Sequence, residues 1–342
     1  MNKRGMSEII TTLIIILVSL VAITAVWVVV KNVINSGSQE ISLGKFTINL
    51  ELQKVVINPG SLDVIVKRNV GTGDIKSFKF IVSGGPSSQT FSMPNPGLNE
   101  LETKTFTLPY TGIVKEISIL PILDSGTSGS AITKTYTENE MLQNLGLVSW
   151  WRMENNLQDS VGANSGTPQG GGVSYQTGKF GQAVNLTSSS YISVPDSLSL
   201  NPQNGITIAA WENSQSGDYP IVGKTNYTNG VFLYGYQLTY GPGKDLHFRI
   251  ASSDLGSAGA PGSNWIHVVA TYDESMMILY ADGVSFNTNI NTNNILDSTD
   301  PLEIGHSVRG PYFFNGKIDE VMIFDRALTA QQVQGLYNYS FS

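Results

Sequence analysis

The chain opens on one long apolar run and then changes period. Between Ile9 and Val30, 22 residues pass without an Asp, Glu, Lys or Arg. About 20 apolar residues suffice for a helix to cross the ~30 Å hydrocarbon layer, so this stretch predicts a helix over 6–36. After Ile34 helical spacing disappears and alternation replaces it. Phe46, Ile48, Leu50 and Leu52 alternate in "KFTINLELQKVVI", and similar runs occupy 62–69, 76–83, 102–109, 115–123 and 131–137. Asn58-Pro59-Gly60, Gly71-Thr72-Gly73-Asp74, Gly84-Gly85-Pro86 and Asn95-Pro96-Gly97 separate them as turns. Six or seven short strands of period two predict a small β-sandwich over 38–140, joined to the helix by the polar linker "NSGSQE" at 35–40.

A second boundary falls at "YTENEMLQNLG", residues 136–146. Four of the five Trp (Trp150, Trp151, Trp211 and Trp265) lie beyond it. "WIHVVATYD" and "MMILYADG" read as two strands joined by Asp273-Glu274-Ser275, and Asp282-Gly283 as the tight turn into a third. "GKIDEVMIFD" is a further strand, with Ile318, Val321 and Ile323 apolar. Thr329 then suits the N-cap of one short helix, with Gln332 placed to close a capping box. Two facing antiparallel sheets of around twelve strands over 146–342 would bury the four Trp. Tyr234, Tyr236 and Tyr240 share parity and read as core. The chain is mainly β throughout.

Charge and composition narrow the function classes. The net charge is −7, distributed as +2 over 1–37, −1 over 38–145 and −8 over 146–342. No segment carries the basic stripe that nucleic acid requires. The chain has no Cys, which excludes a disulfide framework, thiolate metal ligation and a Cys nucleophile. His247, His267 and His306 are far apart, without metal-ligand spacing, and no nucleophile elbow or phosphate-binding loop is present. Asp319 and Glu320 are neighbours on a strand, so alternation places them on opposite faces and denies them an acid–nucleophile pairing. Glu212 is a lone carboxylate. This is the pattern of a protein that is not an enzyme.

The start "NKRGMSEIITT" puts a basic pair and a Gly before the apolar run and one acidic residue just inside it. A secretory signal peptide has a shorter apolar core and a small-residue cleavage site, and "KNVIN" offers none. Lys3 and Arg4 favour a cytoplasmic N-terminus with the remainder exported. The first 30 residues resemble the class III signal peptide of type IV pilin-like proteins, especially archaeal pilins and archaellins. The resemblance implies a leader over 1–5, cut after Gly5 by a prepilin peptidase, with Met6 as the mature N-terminus. The helix is then retained: lipid surrounds it before assembly, and copies of itself surround it in a filament. Glu8 is costly in such a helix unless paired, and the α-amino group of a neighbouring copy's Met6 is its implied partner.

Four stretches of the C-terminal region resemble the laminin G-like, concanavalin A-like jelly-roll family. They are "LVSWWRMENNLQDSVG" with "GKFGQAVNL", "YISVPDSLSLNPQNGITIAAW", "NWIHVVATYDESMMILYADGV", and "PLEIGHS" with "FFNGKIDEVMIFDRALTAQQVQGLY". The family mostly binds carbohydrates and proteins, and its hydrolase branch carries a Glu-x-Asp-x-x-Glu motif that this chain lacks. Many relatives hold a structural Ca²⁺ near an Asp-rich N-terminal loop. Here Asp159 and Asn164 occupy that loop, Asp319 is the carboxylate that would close the site, and Ser165 replaces a usual Asp. An Asx turn is the other role open to Asp159. For a glycan or surface ligand the candidates are Arg309 and Tyr312, in the turn "RGPYFF". Asn185, Asn226 and Asn338 head glycosylation sequons.

Together these features predict a pilin-like subunit of an archaeal extracellular filament. The helix would assemble with copies of itself after a stage in the membrane, and the jelly roll would be displayed for adhesion. A surface lectin anchored singly by the same helix is the alternative, and a membrane-tethered glycan hydrolase a second.

Overall fold

A computed structural model of the protein describes residues 48–58, 60–71, 73–84, 88–214, 220–228, 231–241, 245–256, 264–308 and 310–341. The leader, the apolar helix and the linker, with Gly5, Met6 and Glu8, lie outside the described residues, as does Arg309. Among the described residues no helix is long and apolar enough to cross a membrane.

The first sandwich contains β1 (Leu50–Asn58), β2 (Ser61–Arg68), β3 (Ile75–Ser83), β4 (Ser88–Pro94), β5 (Thr103–Leu108), β6 (Glu116–Leu123) and β7 (Ile132–Thr135). One sheet runs β1-β2-β5 and the other β4-β3-β6-β7, all antiparallel. The period-two alternation buries one side of each strand. Val64, Val66, Phe78, Phe80, Ile117 and Ile119 are fully buried, and Phe78 meets Phe106 edge-on at 5.3 Å. The boundary stretch is an ordered helix, α1 (Glu138–Gln143), where the sequence predicts only a boundary. Thr137 and Glu140 form a capping box at its start, and Met141 and Leu142 are fully buried.

The second sandwich begins with β8 (Leu147–Trp151), β9 (Thr167–Gly170), β10 (Ser174–Thr177), β11 (Gln182–Leu186), β12 (Ser190–Val194) and β13 (Ile206–Ser214). It continues through β14 (Pro220–Thr228), β15 (Val231–Tyr240), β16 (Leu246–Ile250), β17 (Ser253–Gly256), β18 (Ile266–Tyr272), β19 (Met276–Ala281) and β20 (Val284–Ile290). It closes with β21 (Leu302–Ile304), β22 (His306–Ser307), β23 (Tyr312–Phe313), β24 (Gly316–Phe324) and α2 (Ala330–Asn338). An eight-stranded sheet runs β10-β11-β24-β13-β18-β19-β20, with β8 also paired to β24. A seven-stranded sheet runs β17-β16-β15-β14-β21-β12-β9. Seventeen described strands replace the expected twelve, because β9, β10, β17, β22 and β23 are short pieces with weak alternation of their own.

Between the sheets lies one core, including Trp151, Ile208, Ala210, Tyr236, Leu238, Tyr240, Val268 and Ile323. A second apolar cluster covers the outer face of the eight-stranded sheet. Trp150, Ala209, Val269, Tyr280, Met322 and Phe324 face outward there, and Val333 and Leu336 of α2 pack over them. The same cluster runs without a break into the core of the small sandwich. Across that junction Arg326 Nη1 donates to the Ile57 carbonyl at 3.0 Å, and Thr329 Oγ1 to the Thr111 carbonyl at 3.0 Å. Three of the four Trp are buried as expected; Trp265 is half-buried beside Lys317, whose Nζ is 5.4 Å from its ring.

Candidate functional site

The outer face of the seven-stranded sheet is built on the opposite principle. Its strands put apolar residues inward and polar ones outward: Leu302 and Ile304 are core while Glu303 is not, and Leu246, Phe248 and Ile250 flank His247 and Arg249. Antiparallel register lines the outward residues up in rows, because opposed residues share a face. Gln237 sits opposite Arg249 and Gly223, Arg249 opposite Asp254, Gly223 opposite Glu303, and Glu303 opposite Ser193. One polar row therefore crosses the sheet from Asp254 to Ser193.

Hydrogen bonds join much of this row. Arg249 Nη1 donates to Gln237 Oε1 at 3.2 Å, and Nη2 to Asp254 Oδ2 at 3.1 Å. His247 Nδ1 lies 3.0 Å from Asp254 Oδ1. Burial alone would raise the Asp254 carboxyl. The hydrogen bond from His247 and the charge of Arg249 outweigh that and hold it below the ordinary carboxylate range. Gln237 Nε2 donates to Ser307 Oγ at 3.2 Å, which fastens the β22–β23 hairpin over the sheet. On the far side of that hairpin, His306 Nδ1 is 2.8 Å from Glu303 Oε2. The His306 ring stacks on Tyr191, centroids 4.5 Å apart at 27°, and lies 4.7 Å from Phe313. Burial, and then the nearby Glu303, raise the Tyr191 phenol. The result is an aromatic platform beside the Glu303 carboxylate at one end of the row, with Arg249 and Asp254 four and five strands away at the other.

Of the candidate ligand residues, Tyr312 stands on this hairpin and is exposed. Sequence reasoning missed Tyr191, Gln237, Arg249, Asp254, Glu303 and His306. The signal for Gln237, Arg249 and Glu303 is the alternation in "YQLTY", "LHFRI" and "LEI", where polar residues occupy every second position. Tyr236 and Tyr240 are core, as their parity predicts. Tyr234 is exposed: Gly235, with φ +80°, interrupts the extended backbone between it and Tyr236.

Of the candidate calcium ligands, Asp159 and Asn164 share one loop, whereas Asp319 bonds a different segment. Asp159 Oδ1 accepts from the Trp150 N–H at 3.0 Å and the Val161 N–H at 3.1 Å; Oδ2 accepts from the Asn164 N–H at 3.1 Å. Asn164 is buried, with Nδ2 donating to Ser149 Oγ at 2.6 Å and Ser199 Oγ at 2.9 Å. Asp319 Oδ2 accepts from the Lys179 and Phe180 N–H groups at 2.9 and 3.1 Å. Calcium prefers a shell of six to eight oxygens. Both carboxylates instead point into backbone N–H donors, so this donor set does not fit a shared cation. Among the described residues no group of three or more His, Cys, Asp or Glu could hold a metal ion. Asp159 has the turn-closing role that its Asx alternative gave it.

Strand β24 departs from its predicted alternation. Its register against β13 slips by one residue between Asp319 and Met322, and Glu320 is the extra residue, with φ +50°. Asp319 opposes Trp211 on the outer face, and Glu320 accepts a hydrogen bond from the indole of Trp150 on that same face. The two carboxyls therefore do not face opposite ways, because the bulge cancels the alternation on which that expectation rests. Both are buried. Burial raises Asp319 to about 7, partly offset by the N–H groups of Phe180 and Lys179. Burial and then the neighbouring Asp319 raise Glu320 to about 8. His267 has no partner for Nδ1 among the described residues; burial first, then Lys179, pushes it down to about 3, so it stays neutral beside Trp211. Glu212 sits inside the sandwich and accepts from Tyr240 Oη at 2.9 Å. Asn185 donates to Ser174 Oγ at 3.3 Å and Asn226 to Asp300 Oδ2 at 3.0 Å, whereas Asn338 is exposed at the end of α2.

A protein-family model described as the concanavalin A-like lectin/glucanases superfamily matches residues 186–334, somewhat less than half of the chain. No curated protein matches it. Among solved structures, domain 4 of AbnA, a GH43 extracellular arabinanase from Geobacillus stearothermophilus, in complex with arabinotriose, is 23% identical. That match covers 56% of this chain and 98% of that one, with a TM-score of 0.48. The binding domain of Paraclostridial Mosquitocidal Protein 1 is 19% identical over 56% of this chain and 52% of its own, with a TM-score of 0.47. The binding domain of Botulinum neurotoxin DC in complex with rat synaptotagmin II is 16% identical over 56% and 51%, with a TM-score of 0.45. This chain spans about half the length of those two binding domains. The match falls within the two-sheet sandwich, so the C-terminal domain is a jelly-roll sandwich similar to the concanavalin A-like lectin/glucanases superfamily.

Proposed function

We propose that the protein is a surface-displayed, glycan-binding subunit. Its jelly roll binds through the outer face of the seven-stranded sheet, and residues 6–36 hold it in a pilin-like filament after cleavage at Gly5. The observation that carries the binding role is the Tyr191–His306–Phe313 stack, with the Glu303 carboxylate on His306 and the exposed Tyr312 on the same hairpin, at one end of a polar row whose other end is the Arg249–Asp254 pair. Sugars present hydroxyls along their edges and C–H groups on their faces, and this end of the surface sets aromatic rings next to a carboxylate and an imidazole. Binding is favoured over hydrolysis by distance. The two carboxylates on the strands of this face, Asp254 and Glu303, lie four strands apart. At ~4.8 Å per strand that is about 19 Å, against the roughly 5–10 Å that glycoside hydrolysis uses. The filament role rests on the N-terminal sequence. The rival, a singly anchored lectin, shares the binding face and differs in keeping Met1.

The test is a glycan array probed with the full chain in detergent, alongside Tyr191→Ala and Arg249→Ala. At least one glycan should bind, and each substitution should weaken it tenfold or more. If no glycan binds, or if both variants bind as the parent does, this face is not the site. Mass analysis of the mature N-terminus separates the filament subunit, which starts at Met6, from the plain anchor.

A further inference from the structure

We infer that the junction between the two sandwiches holds a second binding site, for a small neutral polyhydroxy ligand such as one or two sugar rings. A cavity of about 240 Å³ opens between the small sandwich and α2. Gln89, Gln331, Gln334 and Asn338 line it, together with Tyr110 and Tyr339. No charged side chain is among the described residues of its wall.

The walls are rigid and the polar groups are unspent. Gly84 and Gly112 bring backbone to the floor, and a Cβ on Gly84 would stand 1.9 Å from the Ile113 carbonyl oxygen. Tyr110 Oη donates to that carbonyl at 2.7 Å, which fixes its ring. Gly335 lets α2 approach Ile113, and Thr329 ties the start of the helix to Thr111. By contrast, the side-chain amides of Gln89, Gln331, Gln334 and Asn338 make no hydrogen bond to any described residue; Gln89, Gln331, Gln334 and Asn338 are all exposed. Each amide carries both a donor and an acceptor, which matches a hydroxyl that is both. Four free amides around two aromatic side chains therefore suit a neutral hydroxylated ring better than a carboxylate, a phosphate or an ammonium group. The volume is below the range of about 300–1,000 Å³ typical of drug-sized ligands, so the occupant is small.

The test uses the full chain in detergent and saturation-transfer NMR with methyl α-glucoside, methyl α-mannoside, methyl β-galactoside and N-acetylglucosamine as probes. At least one probe should bind, and the double variant Gln331→Ala/Gln334→Ala should lose tenfold or more in affinity. Both residues are exposed on α2, so the variant should melt with the parent. Tyr191→Ala, on the far face of the jelly roll, should leave this binding unchanged. Binding that survives the double variant but not Tyr191→Ala would place all sugar recognition on the outer face and overturn the junction site. So would the absence of binding by every probe, or a double variant whose only effect is to abolish self-association.

Discussion

The two outer faces of the jelly roll are made from the same kind of strand and have opposite fates. Over the eight-stranded sheet the outward residues are Trp150, Ala209, Val269, Tyr280, Met322 and Phe324, and α2 and the small sandwich cover them. Over the seven-stranded sheet the outward residues include Gln237, Arg249, Asp254 and Glu303, and a two-strand hairpin crosses them. The difference teaches which face carries stability and which is available for recognition. Apolar area removed from water stabilises in proportion to its extent, at about 25 cal/mol per Å². A hydrogen-bonded polar face contributes far less per group, and keeps its chemistry for a ligand.

The largest effect should come from uncovering the first face. Leu336 is fully buried where α2 meets the sheet. Leu336→Ala should cost about 2–5 kcal/mol, the range for truncating a buried Leu. Urea unfolding of the detergent-solubilised chain measures it. A loss below about 1 kcal/mol would show that α2 is an ornament on the sheet, and the contrast between the faces would fail.

A smaller effect sharpens the comparison through pH. Asp319 and Glu320 sit under the covered face, raised to about 7 and about 8 from the ordinary carboxylate range near 4. Between about pH 4 and 8 the native state holds protons that the unfolded chain has released. Stability should therefore be greatest near pH 5 and should fall as pH rises to 8, by up to ~1.4 kcal/mol per pH unit for each group. Asp196, Asp254 and Asp273, held below the ordinary range, give the reverse dependence in more acid solution, and His267, pushed down to about 3, gives it up to about pH 6.5, so the decline is steepest above pH 6.5. Glu320→Gln removes one of the two protons and should flatten the decline. An unchanged slope would mean that water or a counter-ion reaches the pair, and that this face is less dry than its packing indicates.

The covered face was more legible in the sequence than the open one. Thr329 and Gln332 form the predicted capping box, with the Gln332 N–H 3.2 Å from Thr329 Oγ1 and the Thr329 N–H 3.0 Å from Gln332 Oε1. Asp282 and Gly283 both have positive φ, 48° and 79°, as their tight turn requires. These are local codes of two to four residues. The strand alternation behind both sandwiches is similarly local. The bulge at Glu320 was not legible, because one extra residue in β24 has meaning only against β13. Nor was the joining of the two sandwiches through one apolar cluster, since Ile113 and Gly335 meet only in three dimensions. The binding row is the clearest case: Gln237, Arg249 and Asp254 are neighbours only once β15, β16 and β17 have found their register.

The smallest effect on stability should come from that row. Asp254 has a side chain 40% exposed and takes contacts from His247 and Arg249. Exposed ion pairs of this kind contribute between zero and about 1 kcal/mol, because water and salt screen them and ordering the side chains offsets the attraction. Asp254→Asn keeps one acceptor oxygen and removes the charge. Unfolding free energy should change by less than about 0.5 kcal/mol. Arg249 would lose the charged half of its clamp while keeping Gln237, so its guanidinium should become less ordered and glycan affinity should fall several-fold. That split, binding lost with stability kept, is what a recognition surface predicts and what a structural surface does not. A loss of 2 kcal/mol or more on the roughly 1 kcal/mol scale of exposed pairs would mean that the row holds the seven-stranded sheet together, as α2 holds the other.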